Sequence, residues 1–356
     1  MDKGEQPVQI KTAAEIPVAA LEDFYDQMFP DRAAFLKLHW RWLYRVGTYD
    51  SVPAPLVLTS GDQVIGHAAL LPALLRRGHE ERVGAWLVDF AILPGCQRKG
   101  LGSLLTQEAM RRCPLLLGFC NERSLGTLLR CGWKTRTHTR SFQTSFRPEY
   151  HPSILNSPWR FVGLLAGKAT RIVYQARTRR RSPIEVTKAK GEDLAAFSDE
   201  ELSETLHVSR SPDFLQWRIS LNPFADEHFV LKLSSTDAGR CMGIARVVDA
   251  GGYQRLHLLT LKINGAKKSL LQAFFASLVW WALNADIDHI LLLASDPRVV
   301  RAARLWFPVS KPLRFIYHST DPDWGQALDI AAHSWELIDN DFDLTFVSHQ
   351  AGPQVS

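Results

Sequence analysis

Strong charge of either sign is missing from this chain of 356 residues: 42 Lys and Arg stand against 37 Asp and Glu, a net +5. That balance is too even to mark a nucleic-acid-binding protein by its field, and no nucleic-acid partner is expected. Cysteine is scarce. Cys96, Cys113, Cys120, Cys131 and Cys241 form an odd set with no Cys-x-x-Cys pair, which excludes a paired disulfide framework and gives no support to a zinc site. None of them has a histidine partner at motif spacing, so nucleophilic cysteine catalysis lacks a basis as well. No apolar run reaches the ~20 residues that cross a bilayer; the longest, 270–285, is interrupted by Gln272, Ser277 and Asn284 and reads as a buried core helix. The opening Met1-Asp2-Lys3-Gly4-Glu5 carries no apolar signal-peptide core, so reduced thiols in a cytoplasmic setting are expected. With 46% hydrophobic and 22% charged residues the chain can bury a sizeable core and is long enough for two domains.

The informative segment is a glycine-punctuated basic loop, Gln97-Arg98-Lys99-Gly100-Leu101-Gly102, between a strand-like run at 87–93 and a helix-like run at 103–110. Strand, loop and helix N-terminus make an anion cradle: glycine lets the backbone approach a ligand, and consecutive amides at the positive helix end attract a diphosphate. The loop lacks both the Gly-Lys-Ser/Thr ending of a P-loop and the Gly-x-Gly-x-x-Gly of a dinucleotide fold. It matches Gln/Arg-x-x-Gly-x-Gly preceded by Ile92-Leu93-Pro94.

That arrangement resembles the acetyl-CoA-binding motif of the GNAT acyltransferase superfamily. A second landmark follows: Leu115-Leu116-Leu117-Gly118-Phe119-Cys120-Asn121 reads as the next strand, and Asn121 opens a helix that closes at Cys131-Gly132-Trp133. This looks like the family's Asn…Tyr…Leu-Gly-Phe segment, with Leu128 where the tyrosine would fall. The resemblance implies acetyl-CoA as acyl donor and strands that splay to admit its pantetheine arm. It assigns the backbone of Ile92 and Leu93 to the thioester oxygen and the amides from Gln97 to Gly102, with Ser103, to the diphosphate. Arg98 and Lys99 add charge, and Asn121 joins the cofactor-binding set. Leu128 cannot protonate a leaving sulfur as the family's tyrosine does, which leaves Cys120, Ser124 and water.

The second half of the chain repeats the element order of the first. Leu56-Val57-Leu58 and Ile65-Gly66-His67-Ala68 correspond to Phe229-Val230-Leu231 and Met242-Gly243-Ile244-Ala245; Ser103-Leu104-Leu105 corresponds to Ser269-Leu270-Leu271, and Asn121 to Asp296. Phe35-Leu36 with Trp40 or Trp42 is echoed by Phe214-Leu215-Gln216-Trp217. Between strand and helix the second copy has only Asn264-Gly265-Ala266-Lys267-Lys268, few amides for a diphosphate. The expected fold is therefore mixed α/β (α+β) with two tandem GNAT-like domains: a cofactor-binding domain at 1–147, a basic helical linker at 148–183 and a degenerate copy at 184–356.

Asp89 stands three residues before Ile92 on an otherwise apolar strand. A carboxylate there is costly to bury unless partnered. It is the candidate base for the amine proton, acting through water; the competing reading is that it orders a loop or pairs with an arginine. Strand alternation places it on one face with Leu87 and Ala91. His67 and His79 flank the acceptor side, where a structural role is the simpler reading. Trp40, Trp42, Trp86 and Trp133 line either a pocket or the core.

The linker carries a helix candidate at 159–175 followed by Arg177, Arg179, Arg180 and Arg181. A solvated basic end and a peripheral membrane contact are its two leading readings. The acceptor is expected to be a small-molecule amine. Trp217-Arg218 and the acidic end Asp339, Asp341, Asp343 resemble, in outline, proteins of bacterial surface-polysaccharide clusters, which would imply an amino sugar. The leading function is acyl transfer from acetyl-CoA to a primary amine by direct attack in a ternary complex; the alternative is a non-catalytic CoA-binding or scaffolding protein. Aminoacyl-tRNA-dependent relatives generally lack an intact loop.

Overall fold

The computed structural model describes residues 7–150, 157–179, 183–198, 205–235, 239–249, 252–264 and 267–344. Arg180, Arg181, Gly265 and Ala266, all named above, lie outside them. In chain order the strands are β1 (Val8–Thr12), β2 (Leu56–Ser60), β3 (Gln63–Arg77), β4 (Glu80–Ile92), β5 (Leu115–Cys120), β6 (Lys134–Arg136), β7 (Arg140–Ser145) and β8 (Glu185–Lys188). There follow β9 (Leu206–Val208), β10 (His228–Ser235), β11 (Gly239–Asp249), β12 (Gln254–Asn264), β13 (His289–Ala294), β14 (Val309–Pro312), β15 (Arg314–Ser319) and β16 (His333–Ser334). The helices are α1 (Val18–Met28), α2 (Ala33–Leu43), α3 (Leu101–Arg112), α4 (Glu122–Arg130), α5 (Arg160–Arg177), α6 (Gly191–Ala195), α7 (Pro212–Leu215), α8 (Lys268–Asn284), α9 (Pro297–Trp306) and α10 (Pro322–Ile330).

Two mixed sheets follow one plan. In the first, β1, β2, β3 and β4 are antiparallel neighbours, β5 runs parallel to β4, and β15 and β6 close the row. In the second, β8, β10, β11 and β12 are antiparallel, β13 is parallel to β12, and β7 and β14 close the row. The repeated elements match at equivalent places. Gly66 pairs with Ile92 and Gly243 with Leu261. Each glycine is needed for close approach: a Cβ on Gly66 would lie 2.6 Å from Ile92 Cδ1, and one on Gly243 would lie 2.9 Å from Leu258 Cδ1.

The sheets do not divide the chain at 147 and 184, however. Strand β7, from the N-terminal half, inserts between β13 and β14, while β15, from the C-terminal half, inserts between β5 and β6. Each half therefore lends a central strand to the other, and the two crossing segments touch where the Leu313 amide donates to the Thr139 carbonyl at 2.9 Å. Alternate residues of β7, Phe142 and Thr144, are buried in the second sheet's core side, and Phe146 follows the same pattern. The pattern of a strand does not say which sheet it joins.

Each sheet has its own apolar core. The first gathers Phe24, Phe35, Leu70, Trp86, Leu105 and Leu117; the second gathers Phe142, Leu256, Phe274, Phe275 and Ile290. The apolar run at 270–285 is α8, buried along Leu271, Phe274, Phe275, Leu278 and Val279. Among the described residues no helix is long and apolar enough to cross a membrane. The echoed aromatic segments pack on each other: Trp42 and Trp217 rings lie 6.0 Å apart, and Trp217 Nε1 donates to the Trp42 carbonyl at 3.0 Å.

Candidate active site

The site begins with an irregularity in β4. His67 pairs with Ala91 and Ala69 with Val88, so Asp89 and Phe90 together oppose Ala68 alone. This bulge puts Asp89 at φ +47, a conformation uncommon for residues with a Cβ. The alternation expected through 87–92 breaks here, and Asp89 and Phe90 both border the same cavity. On the other side, β4 pairs with β5 only at Ala85 with Leu116 and Trp86 with Leu117. Beyond Trp86 the two strands splay.

The Leu93 amide donates to the Ile65 carbonyl at 2.9 Å, on the β3 side. Successive strand residues point their backbone groups to opposite sides, so the Ile92 amide faces the gap; its carbonyl accepts from Gln97 Nε2 at 2.9 Å. Leu93 is thus removed from the expected backbone pair, since its amide is committed and its side chain is buried.

After a tight turn at Pro94–Cys96, Arg98 takes φ +64 and Gly100 φ +80, and Gly100 caps α3. Left-handed residues in such a turn help gather successive amides into an anion-binding concavity. The amides that open the helix have no carbonyl one turn back. Two expected anchors are already spent: the Gln97 amide on Pro94 and the Ser103 amide on Gly100. A cleft of about 870 Å³ runs along this loop, bordered by Ile92, Gln97, Arg98, Gly100, Leu101, Gly102, Ser103 and Asn121. Leu93 and Lys99 do not line it, Lys99 being exposed. Arg123, Thr127 and Arg130 of α4 do; the sequence reading had not singled them out.

Asn121 serves first as the cap of α4, its Oδ1 accepting from the Arg123 and Ser124 amides at 3.0 Å each. Asp296 caps α9 in the same way in the second half. Leu128 is buried in the core.

Adjoining the cleft is a cavity of about 260 Å³ bordered by Trp86, Phe119, Phe342, Arg32, Asp89 and Asp341. Phe90, Asn121 and Ser124 border both spaces and mark their junction. Of the four tryptophans, Trp86 alone borders it; Trp40 and Trp133 are core residues and Trp42 packs on Trp217.

The Asp89 carboxylate is fully engaged. Arg32 Nη1 donates to Oδ1 at 2.7 Å and the Tyr44 hydroxyl to Oδ2 at 2.7 Å, and the side chain is 4% exposed. Pairing with an arginine is therefore what the structure places at Asp89. The same Arg32 Nη1 donates to Asp341 Oδ2 at 2.8 Å, so two carboxylates share one guanidinium. Burial pushes the Asp341 carboxyl above the ordinary range, Arg32 opposes that rise and Asp89 adds to it. Burial likewise pushes the Tyr44 hydroxyl upward. Beneath them His67 Nδ1 donates to the Asp89 carbonyl at 2.9 Å and helps hold the bulge. Burial lowers the His67 pKa to about 4, which keeps the ring neutral.

Asp341 reaches the site because the chain's end is clamped across it. Arg218, fully buried, donates to the Ile338 and Asn340 carbonyls at 3.1 and 2.9 Å. Arg210 pairs with Glu336 and Asp339 at 2.9 and 2.5 Å. Phe342 then packs on Phe119, ring centroids 5.3 Å apart. Arg32, Tyr44 and Asp341 carry no local signal for this meeting; Arg32 lies 57 residues from Asp89 and 309 from Asp341.

The second sheet has the corresponding opening, a cavity of about 200 Å³ beside Thr260, Leu261, Ala294 and Asp296. There the Leu261 amide, at the register of Ile92, donates to Glu336 Oε1 at 2.8 Å. Thr260 Oγ1 donates to the other oxygen, which Arg210 also holds.

Two mixed sheets of one plan, the first with parallel strands that part beside a glycine-capped helix, are consistent with GNAT-like domains. Residues 18–133 match the acetyltransferase (GNAT) family. Among solved structures the chain is similar to Saccharomyces cerevisiae N-myristoyltransferase with bound myristoyl-CoA: 12% identity, TM-score 0.55, covering 89% of this chain and 85% of that one. It is also similar to a GCN5-related N-acetyltransferase from Kribbella flavida (14%, TM-score 0.52, 88% and 71%). A probable N-acyltransferase from Enterococcus faecalis V583 gives 10%, TM-score 0.52, 87% and 71%. At these identities the likeness is one of fold. No curated protein matches the sequence.

Proposed function

We propose that the N-terminal domain transfers an acetyl group from acetyl-CoA to a primary amine by direct attack in a ternary complex. The observation that carries this reading is the joining of two spaces at Phe90, Asn121 and Ser124: a cationic, amide-lined cleft on one side and a carboxylate-bearing cavity on the other. The residues fit a diphosphate. Arg98, Arg123 and Arg130 line the cleft, and the missing side chain of Gly102 leaves room between Phe90 and Thr127, each 3.6 Å from where its Cβ would be. Acetyl-CoA, when bound, supplies an activated carbonyl. Toward it the protein offers the Ile92 amide, facing the gap, as an oxygen donor.

The Asp89–Arg32–Asp341 group carries one net negative charge at the cavity, suited to hold an ammonium and to take its proton. Asp341, its carboxyl raised by burial, is the member better matched to proton transfer. Asp89 positions Arg32 and Tyr44. Arg32 Nε and Nη2 are buried and meet no acceptor among the described residues, so an amine that also bears a hydroxyl or carbonyl oxygen fits the cavity. At about 260 Å³ the space suits a small acceptor and a short acyl group. Ser124, at the junction, is the hydroxyl placed to serve the leaving thiolate where Leu128 cannot.

The test is calorimetric titration with acetyl-CoA, then turnover on a panel of small amines. Gly102→Asp puts a carboxylate into the cleft where its Cβ has ordinary contacts. It should weaken acetyl-CoA binding by at least about tenfold, the scale of one desolvated charge interaction. Unchanged affinity in the folded variant would remove the cofactor assignment. Binding without turnover on any amine favours the non-catalytic alternative, for which the committed Asp89 and the leucine at 128 are the motivating observations.

A further inference from the structure

From Tyr150 to Ile184 the sequence contains no Asp or Glu, but it contains Arg160, Lys168, Arg171, Arg177 and Arg179 to Arg181. Within this stretch α5 is two-faced. Gly163, Gly167, Tyr174 and, just past its end, Thr178 recur along one side and are buried. A Cβ on Gly167 would lie 3.0 Å from the Phe146 carbonyl, so that side rests directly on the protein. Tyr174 stacks on Trp306 at 6.4 Å.

The opposite side is left exposed by the described residues. Phe161, Val162, Leu165, Ile172 and Val173 recur at helical spacing and are 67%, 53%, 52%, 66% and 53% exposed, and Trp159 just before the helix is 69% exposed. Five of the fifteen exposed large hydrophobics among the described residues thus lie on one helix, and a sixth, Trp159, immediately precedes it. Lys168 sits within the stripe and Arg160, Arg177 and Arg179 border its ends, all exposed. The acids beneath the helix are buried: Glu149 faces Gly167, and Asp288 pairs with Arg147.

We propose that this face of α5 lies on an anionic lipid surface, with the aromatic and aliphatic side chains inserted among the acyl chains and the cations at the headgroups. Exposed apolar rows of this size are costly in water. A helix apolar on one side, cationic at its borders and without acids has the composition that binds in the plane of a membrane. A second copy of the chain would set Lys168 and Arg179 against the same cations, so charge complementarity selects lipid over self-association.

The experiment uses the full chain with sedimenting vesicles of phosphatidylcholine, with and without phosphatidylglycerol. Binding is expected to the phosphatidylglycerol vesicles alone and to weaken as salt is raised. Lys168→Gln and Arg179→Gln should each reduce it by about fivefold, the effect of one cation near an anionic surface. The double variant Phe161→Ser with Ile172→Ser should abolish it with the melting temperature unchanged, since both side chains are exposed. Sedimentation of that variant as readily as the parent would overturn the proposal. So would absence of binding at low salt, or a dimer in light scattering that the double variant dissociates.

Discussion

The two sheets offer the same backbone opening and treat it in opposite ways. Beside Ile92 the amide faces an open cleft, the connection to α3 is long and glycine-capped, and cations line the wall. At the same register in the second sheet the Leu261 amide is bound by Glu336 from the chain's own C-terminal segment. A carboxylate oxygen at that position shows what a strand amide in such a gap is suited to hold. The difference teaches that two sheets of one plan can use the same opening differently: one borders it with cations, and the other uses it as an anchor. The anchored segment then runs on to carry Asp341 and Phe342 into the first copy's cavity. The second half therefore completes the wall of the cavity that the proposed function uses.

This comparison can be broken most sharply at the shared guanidinium. If Asp341 takes the amine proton, Asp341→Asn should lower turnover by ~10²–10⁴-fold while acetyl-CoA affinity stays nearly intact and the melting temperature holds. Asp89→Asn, by contrast, should show first as lost thermal stability, because it gives up charge-assisted bonds to both Arg32 and Tyr44. Measuring both properties on the same preparations decides between them, and a fully active Asp341→Asn protein would deny that residue a chemical part.

The anchoring half of the comparison is sharpened by Glu336→Ala. Removing one partner of a buried ion pair leaves Arg210 undercompensated and should cost about 3–5 kcal/mol in chemical denaturation, with turnover per folded molecule little changed. A stable variant with collapsed turnover would mean that the second opening shares in the chemistry.

The smallest effect concerns acid stability. Burial holds His67 in the first sheet and His228 in the second neutral, with pKa values lowered to about 4 and about 3. Below the ordinary histidine pKa of about 6.5 the unfolded chain binds protons that the native chain does not. Stability from both residues is therefore complete above that pH and is lost as pH falls toward the folded values. Asp341 works in the other direction, since its raised folded pKa favours the native state at lower pH. Urea unfolding followed from pH 7 to pH 5 should show falling stability, and His67→Asn should flatten part of the slope. A slope untouched by that change would mean His67 titrates normally.

Much of the framework around the larger cleft was legible in the sequence. The loop 97–102, the start of α3 near it, Asn121 at a helix start and the repeated element order all rest on short-range signals: glycine where the backbone turns left-handed, capping side chains, and apolar periodicity. The helix expected at 159–175 is α5 at Arg160–Arg177. The expectation at Leu93 and the alternation through Asp89 gave way to a bulge, which depends on how β3 pairs with β4 and so lies beyond the reading of one strand.

The sequence by itself determined what the elements are and where an anion can meet the backbone, because hydrogen bonding and periodicity act within a few residues. Only the tertiary structure decided that β7 and β15 change places between sheets, that Glu336 fills one opening, and that Asp89 and Asp341 meet on Arg32. Those outcomes join residues up to 309 positions apart. They are set by which buried surfaces and buried charges find partners when the two cores pack, a condition on the whole chain that no local pattern encodes.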